Sequence, residues 1–451
     1  MGRLFGTDGV RGVANRELTC ELAVQVGRAA ATVLTRSLSH RPRVLIGKDT
    51  RASGDMLEAA LAAGLCSVGA NVELLGVVPT PAVAYLTAEM DADAGVMISA
   101  SHNPCEDNGI KIFGRGGYKL SDELENQVEA LIIEHEAIAC PTGGGVGRVS
   151  DAGDACERYA EHLIAAADAD LTGLHIAVDC ANGSASRTAR RIFETLGVNC
   201  DFLSCAPDGE NINLRCGSTH LTQLIEYVKA HGVDAGFAFD GDADRCLCVA
   251  ADGTPLDGDA MLAILAKDFK ARGRLARDAA VVTVMSNLGF FRYAEEHGIR
   301  ALQTAVGDRY ILEEMLSGGY ALGAEQSGHL ISLTHATTGD GQLSAILLLC
   351  AMRRAGLPLQ ELAKVMTSYP QVMVNVRLHP AGKARYHEDE AIAARVREVA
   401  GALADSGRVL VRPSGTEPLV RVMVEHTSAQ EAERIANELA AFIRERLGSP
   451  S

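Results

Sequence analysis

Apolar runs of strand length recur along the chain and alternate with stretches of helical periodicity. Arg43 to Lys48 (RVLIGK), Asn71 to Val78 (NVELLGVV) and Ala94 to Ser99 (AGVMIS) read as buried strands, with an alanine-rich helix over Asp55 to Val68. The alternation resumes at Leu174 to Asp179, Val198 to Ser204 and Ala235 to Asp240. It returns a third time at Ala279 to Met285, Ala301 to Val306 and Tyr320 to Glu325. Near-continuous apolar strands separated by helices predict mostly parallel or mixed sheets covered on both faces, that is, α/β units.

After Pro370 the pattern changes. β-branched strands at Gln371 to Leu378, Arg408 to Arg412 and Leu419 to Glu425 are joined by helices over Asp389 to Asp405 and Ala429 to Leu447. This predicts a smaller α+β domain behind three related α/β domains. Breaks at Thr142 to Gly147, Asp252 to Gly258 and Ser368 to Pro370 divide the chain into 1–150, 151–255, 256–368 and 369–451. A length of 451 residues is itself more than one compact core accommodates.

Composition narrows the function classes. With 47% hydrophobic and 22% charged residues, the chain is an ordinary globular one. Apolar runs such as Ala345 to Met352 are too short to cross a bilayer, and Met1 to Phe5 has no apolar stretch behind a basic start, so no signal peptide, no membrane insertion and a cytoplasmic location are expected. A net charge of −16 argues against a nucleic-acid partner, while local arginines can still bind an anionic small molecule. The 12 cysteines form no CxxC pair and read as reduced thiols.

Five segments carry candidate chemistry. Ser99-Ala-Ser-His-Asn-Pro104 leaves the carboxyl end of a strand, where open α/β sheets place ligands, and Asn103-Pro104 forces a turn. Ser101 and His102 should therefore be displayed on a tight loop, which by itself also fits an ordinary turn. Asp240-Gly-Asp-Ala-Asp-Arg245 places Asp240, Asp242 and Asp244 at alternate positions, on one side of an extended chain. Without a cation, carboxylates so close repel by about 1 kcal/mol or more per pair even in water. An EF-hand calcium loop would need glycine where Arg245 stands and glutamate where Ala251 stands. A solvated acidic turn is the other reading; three oxygen donors with open positions suit magnesium holding a phosphate.

Arg412-Pro-Ser-Gly-Thr-Glu-Pro418, followed by Arg421, offers backbone N–H groups, the hydroxyls of Ser414 and Thr416, and two guanidinium forks for an anion, or else a simple turn between strands. Glu325-Gln-Ser-Gly-His329 could read sugar hydroxyls or be a polar surface turn. Thr7-Asp-Gly-Val-Arg-Gly12 sets Arg11 between glycines.

Taken in chain order, from the Arg11 segment through the serine, aspartate and Glu325 segments to the Arg412 segment, the five motifs resemble the alpha-D-phosphohexomutase superfamily over Phe5 to Arg421. The resemblance implies three α/β/α domains and a C-terminal α+β domain around a central cleft. It implies that Ser101 is phosphorylated, that its phosphate and Asp240, Asp242 and Asp244 bind one Mg2+ per subunit, and that Arg245 contacts phosphate. Lys111, in Asn108-Gly-Ile-Lys-Ile, matches the acid/base group, and Arg11 its arginine partner. Glu325 and Ser327 would contact sugar hydroxyls with His329 nearby. Arg412, Ser414, Gly415 and Thr416, with Arg421, would hold the non-reacting phosphate.

The openings at Phe5 to Gly12 and at Glu325-Gln326 look like the branch acting on glucosamine phosphates. Glucosamine 1,6-bisphosphate would be its intermediate or activator, and its product would feed UDP-N-acetylglucosamine and bacterial cell-wall synthesis. Ala324 departs from a common glycine. A phosphoglucomutase or phosphomannomutase, a phosphatase and a sugar-phosphate sensor are the alternatives, and the chain would be a monomer or homodimer.

Overall fold

The computed structural model describes residues 4–6, 9–36, 38–134, 138–379, 382, 385–414 and 418–448. Within them the chain forms four sheets, each from one consecutive stretch of sequence. The first contains β1 (Phe5–Gly6), β2 (Gly9–Val13), β3 (Arg43–Lys48), β4 (Asn71–Val77), β5 (Ala94–Ile98), β6 (Asp107–Gly114) and β7 (Val149–Asp151). Its order is β1-β2-β6-β5-β3-β4-β7. The second contains β8 (His175–Asp179), β9 (Asn199–Leu203), β10 (Ala235–Phe239), β11 (Cys246–Ala250) and β12 (Pro255–Leu256), in the order β12-β11-β10-β8-β9. The third contains β13 (Ala279–Thr283), β14 (Arg300–Thr304), β15 (Leu322–Ala324) and β16 (Leu330–Ser332), in the order β14-β13-β15-β16.

One arrangement recurs in all three. A buried strand parallel to its neighbour (β5 to β3, β10 to β8, β15 to β13) runs to its carboxyl end, and a short loop then returns as an antiparallel strand (β6, β11, β16). The apolar runs explain the parallel strands: every residue of β5, β10 and β13 is buried. The sheets are mixed because each return strand is antiparallel. The three loops so formed are the serine, aspartate and Glu325 segments.

The fourth sheet is β17 (Gln371–Arg377), β19 (Leu419–His426) and β18 (Gly407–Pro413), all antiparallel. Helices Glu390–Leu403 and Ala429–Leu447 pack on it over a core that includes Val376, Val422, Val424, Leu439 and Ile443. Asp389 and Ser428 start these helices by accepting the N–H groups of Ile392 (3.0 Å) and Glu431 (3.4 Å).

The chain divides into two compact units, residues 1–285 with 299–365, and residues 286–298 with 366–451. Helix Leu288–Glu296 thus joins the C-terminal unit, although it connects β13 to β14 in sequence. Its first N–H, on Leu288, donates to Glu425 Oε2 at 3.0 Å, and Asn287 bonds the backbone of Tyr369 in both directions at 2.9 Å. Among the described residues no single helix is long and apolar enough to cross a membrane.

Candidate active site

Ser101 lies in the turn after β5, and its backbone is left-handed, φ +53°. That conformation costs a residue with a side chain roughly 1–2 kcal/mol, so something must hold it. The Ser101 N–H donates to Ser99 Oγ (2.9 Å), and Ser99 Oγ–H donates to Asp49 Oδ2 (2.6 Å). The sequence predicts a displayed serine; in the structure Ser101 is buried, 1% exposed. It is buried because its hydroxyl turns inward and donates to Asp240 Oδ2 at 2.6 Å.

Asp240, Asp242 and Asp244 converge, with one carboxylate oxygen from each within 4.8 Å of the others. The means of convergence corrects the sequence reading. The segment is not extended: it is a turn in which Ala243 is left-handed, φ +55°, and the turn gathers the three side chains. All three are buried. Burial and the neighbouring Asp244 and Asp242 charges push Asp240 well above the usual carboxylate range. Burial acts the same way on Asp244, but Lys111, His329 and Arg245 outweigh it and hold its carboxyl well below that range. Asp242 Oδ1 and Asp244 Oδ1 are buried and have no hydrogen-bond partner. Two orphaned carboxylate oxygens beside a third carboxylate, with oxygen as the only donor type, fit a hard divalent cation.

The second Asp242 oxygen is fully used. Thr80 Oγ1–H donates to Asp242 Oδ2 at 2.6 Å, and Lys111 Nζ donates to the same atom at 2.8 Å and to Asp244 Oδ2 at 3.4 Å. Lys111 is 2% exposed and sits on β6 opposite Met97 of β5. Arg11 sits on β2 opposite Gly109 of β6, two residues from Lys111.

His102, next to Ser101, accepts at Nδ1 from Arg245 Nη1 (3.0 Å). Burial, with Arg245 and Arg11 nearby, lowers its pKa to about 4, so its imidazole is neutral at neutral pH. Arg245 itself is held charged: burial opposes the charge, but Asp244 and Asp240 raise its pKa.

Glu325, half-buried, accepts the Gly307 N–H at Oε1 (3.2 Å), and burial raises its pKa. Ser327 is exposed at the tip of the turn. His329 is buried and faces carboxylates on both sides: Nδ1 lies 3.7 Å from Asp244 Oδ2 and Nε2 3.4 Å from Asp308 Oδ2. Gln326 Nε2 donates to Asp257 Oδ2 (3.1 Å), while Asp257 Oδ1 accepts the Ala260 N–H and starts helix Gly258–Ala271. Ala324 is an ordinary β15 residue without positive φ, so its methyl group brings no backbone strain.

In the C-terminal unit, Arg412 of β18 pairs directly with Arg421 of β19. Burial and the adjacent guanidinium of Arg421 lower the Arg412 pKa, and Arg412 Nε is buried without a hydrogen-bond partner. Two adjacent guanidinium groups at the end of a hairpin favour an anion. Ser414 is buried, its N–H donating to Leu419 O at 2.9 Å. Gly415 and Thr416 lie outside the described residues.

Several site residues carry no sequence signal of their own. Thr80 begins a helix 162 residues before its partner Asp242. Arg51 and Asn213 donate to the carbonyls of the serine loop from 50 and 112 residues away. The one available clue is Gly47-Lys-Asp-Thr-Arg51, where charged residues end a buried strand at the ligand edge of a sheet. A cavity of about 550 Å³ beside the serine loop is lined by His102, Glu106, Asn213, Arg215 and His220, among others.

Four successive stretches match known domain families. Residues 2–138, 157–253 and 257–369 match the alpha/beta/alpha domains I, II and III of phosphoglucomutase/phosphomannomutase, and 373–442 match its C-terminal domain. The chain belongs to the phosphoglucomutase/phosphomannomutase family. Phosphoglucosamine mutase of Thermobifida fusca is 54% identical over 449 residues, 99% of each chain. That of Acetivibrio thermocellus is 52% identical over 99% of this chain and 100% of its own. Among solved structures, a family member from Burkholderia thailandensis superposes with a TM-score of 0.83 at 25% identity, covering 99% of this chain and 97% of the other. An Aspergillus fumigatus N-acetylphosphoglucosamine mutase, solved with GlcNAc-6P and magnesium, shares the fold at 19% identity, with a TM-score of 0.73 and coverage of 99% and 96%.

Proposed function

We propose that this member of the family is a phosphoglucosamine mutase, an isomerase that interconverts glucosamine 6-phosphate and glucosamine 1-phosphate for UDP-N-acetylglucosamine synthesis. The reading rests on the Ser101 hydroxyl lying 2.6 Å from one of three clustered carboxylates, in a chain about half identical to phosphoglucosamine mutases over their full length.

In this reading Ser101 works as a phosphoserine. Its O–P bond breaks as a new one forms to the free hydroxyl of the sugar monophosphate, giving glucosamine 1,6-bisphosphate. The hydroxyl proton passes by way of Lys111 to the Ser101 oxygen that leaves. The other phosphate of the bisphosphate then returns to Ser101, whose hydroxyl proton passes to the sugar oxygen left behind. Phosphoryl transfer asks mainly for alignment and charge neutralisation. Asp240, Asp242 and Asp244 would hold one Mg2+ per subunit, which supplies positive charge to the phosphoryl oxygens. Arg245 and Arg11 add charge from the protein, and with burial they keep the His102 imidazole neutral at neutral pH. Glu325, Ser327 and His329 are assigned to the sugar, and the Arg412 and Arg421 pair with Ser414, Gly415 and Thr416 to a phosphate group. The enzyme would act in the cytoplasm as a monomer or homodimer.

A mutase assay with magnesium and a trace of bisphosphate, run on glucosamine, glucose and mannose 6-phosphates, tests this. Preferred conversion of the glucosamine compound, lost in Ser101→Ala, is expected. Preference for glucose or mannose would overturn the substrate assignment, and release of inorganic phosphate matching substrate loss would replace the mutase by a phosphatase.

A further inference from the structure

Four hydrogen bonds fall on two carbonyls of the serine loop, from two side chains on segments that follow strands of different sheets. Arg51 Nη2, just past β3, donates to Ser101 O and to Asn103 O, both at 2.9 Å. Asn213 Nδ2, in the loop after β9, donates to the same two oxygens at 2.9 and 3.0 Å. A carbonyl oxygen has two lone pairs, so both are saturated. Arg51 Nη1 also takes Pro104 O.

The donors are themselves fixed. Arg51 and Asp49 are fully buried, with Arg51 Nε on Asp49 Oδ2 at 2.9 Å and the Arg51 N–H on Asp49 Oδ1 at 3.0 Å. Asn213 is left-handed, φ +57°, and its N–H donates to Ala181 O at 2.9 Å. A buried ion pair is a poor source of stability compared with apolar packing. Its use here is geometric: with the Ser101 N–H on Ser99 Oγ and its carbonyl saturated, both peptide groups of Ser101 are pinned. The same carbonyl touches the metal loop, because a Cβ added at Gly241 would lie 2.6 Å from Ser101 O and 2.9 Å from Asn213 Nδ2. The serine loop is therefore tethered from two elements and lies close against the aspartate turn.

We propose that Arg51 and Asn213 are positioning residues for phosphoryl transfer, acting together on the Ser101 and Asn103 carbonyls to aim Ser101 Oγ at the aspartate cluster. The proposal rests on the mutase reading above. Neither side chain takes a proton or touches the phosphate; their effect comes through alignment, where a misplacement of about 1 Å can cost roughly 100-fold in rate.

The test is a double-mutant cycle on the full chain: Asn213→Ala, Arg51→Lys and the pair, measured in the mutase assay and in single-turnover transfer from phosphorylated Ser101. Asn213→Ala should lower kcat by about 10- to 100-fold, leave KM within about threefold, and retain its fold by circular dichroism and its phosphoserine by intact mass. The double variant should lose little more than the worse single one, because both act on the same oxygens. Should Arg51→Lys fail to fold, Asn213→Ala alone decides. A folded Asn213→Ala with the wild-type kcat, or a loss confined to KM, or strictly multiplicative losses, overturns the proposal and leaves the mutase reading standing. A wild-type protein inert on every sugar phosphate removes that reading and the proposal with it.

Discussion

Lys111 holds two carboxylates that a cation would also hold, which gives its removal a distinctive signature. Lys111→Met deletes the ammonium that lies 2.8 Å from Asp242 and 3.4 Å from Asp244 while leaving the Ser101 hydroxyl and its Asp240 partner in place. Turnover should fall about 1,000-fold, in the range of a lost acid–base group, while mass spectrometry still finds phosphate on Ser101. A near-normal rate would remove the proposed role. At this scale the sequence displays chemistry and hides geometry. The aspartates and Arg245 stand out because they cluster within six positions, and Ser101 because it precedes His102 and Asn103-Pro104 at the end of an apolar strand. Thr80, Arg51 and Asn213 do not, because a threonine at a helix start or an asparagine in a loop has many commoner uses, and their partners are distant in the chain. The aspartate turn misleads for a related reason: alternation suggests an extended strand, and nothing in Gly-Asp-Ala-Asp announces that Ala243 takes a positive φ.

At the scale of elements, two junctions carry testable consequences. Gly328, φ +92°, closes the Glu325 turn, and a Cβ there would lie 2.2 Å from Cys246 O at the start of β11. The Cys246 N–H in turn donates to Gly328 O at 3.1 Å, joining the second and third sheets. Gly328→Ala should destabilise the protein by about 2–4 kcal/mol in a urea melt, since both the backbone and the contact are strained. Asp340 starts helix Gly341–Ala355 by accepting the Leu343 N–H at 2.9 Å, and it accepts the Tyr159 hydroxyl at 2.8 Å. Burial raises its pKa to about 6 from 3.8. The folded state therefore binds the proton more tightly than the unfolded one, and this contribution is complete below about pH 4 and lost as pH rises through 6. Asp340→Asn carries no such titration, so its melting temperature should gain on the wild type between pH 4 and 6, by the equivalent of roughly 3 kcal/mol. A constant difference across that range would remove the assignment. Strands were readable here because burial on both faces writes continuous apolar runs; the junctions were not, because a cap and a contact depend on which loop arrives from another sheet.

Over the whole molecule, the four-part organisation is visible in the sequence as a repeated strand–helix rhythm that changes after Pro370. The placement of residues 286–298 with the C-terminal unit is not, because it rests on Glu425 and Tyr369, side chain and backbone groups more than 80 residues away. The proposed cation site has a consequence at this scale too. Magnesium that binds only the folded protein raises its stability by about 2.7 kcal/mol at 100 times the dissociation constant. Thermal melts should shift up by several degrees with added magnesium, and Asp242→Asn should abolish the shift.

The aspartate turn is also held by backbone from both sides: the Thr80 N–H donates to Asp242 O at 2.9 Å, and the Gly341 N–H to Ala243 O at 3.0 Å. Its supports thus span residues 80 to 341, and the later one lies about a hundred residues downstream of the turn itself. A ribosome must release Gly341 before the last of these bonds can close. During synthesis, cation capture should come late and mark a chain whose first three sheets are already assembled.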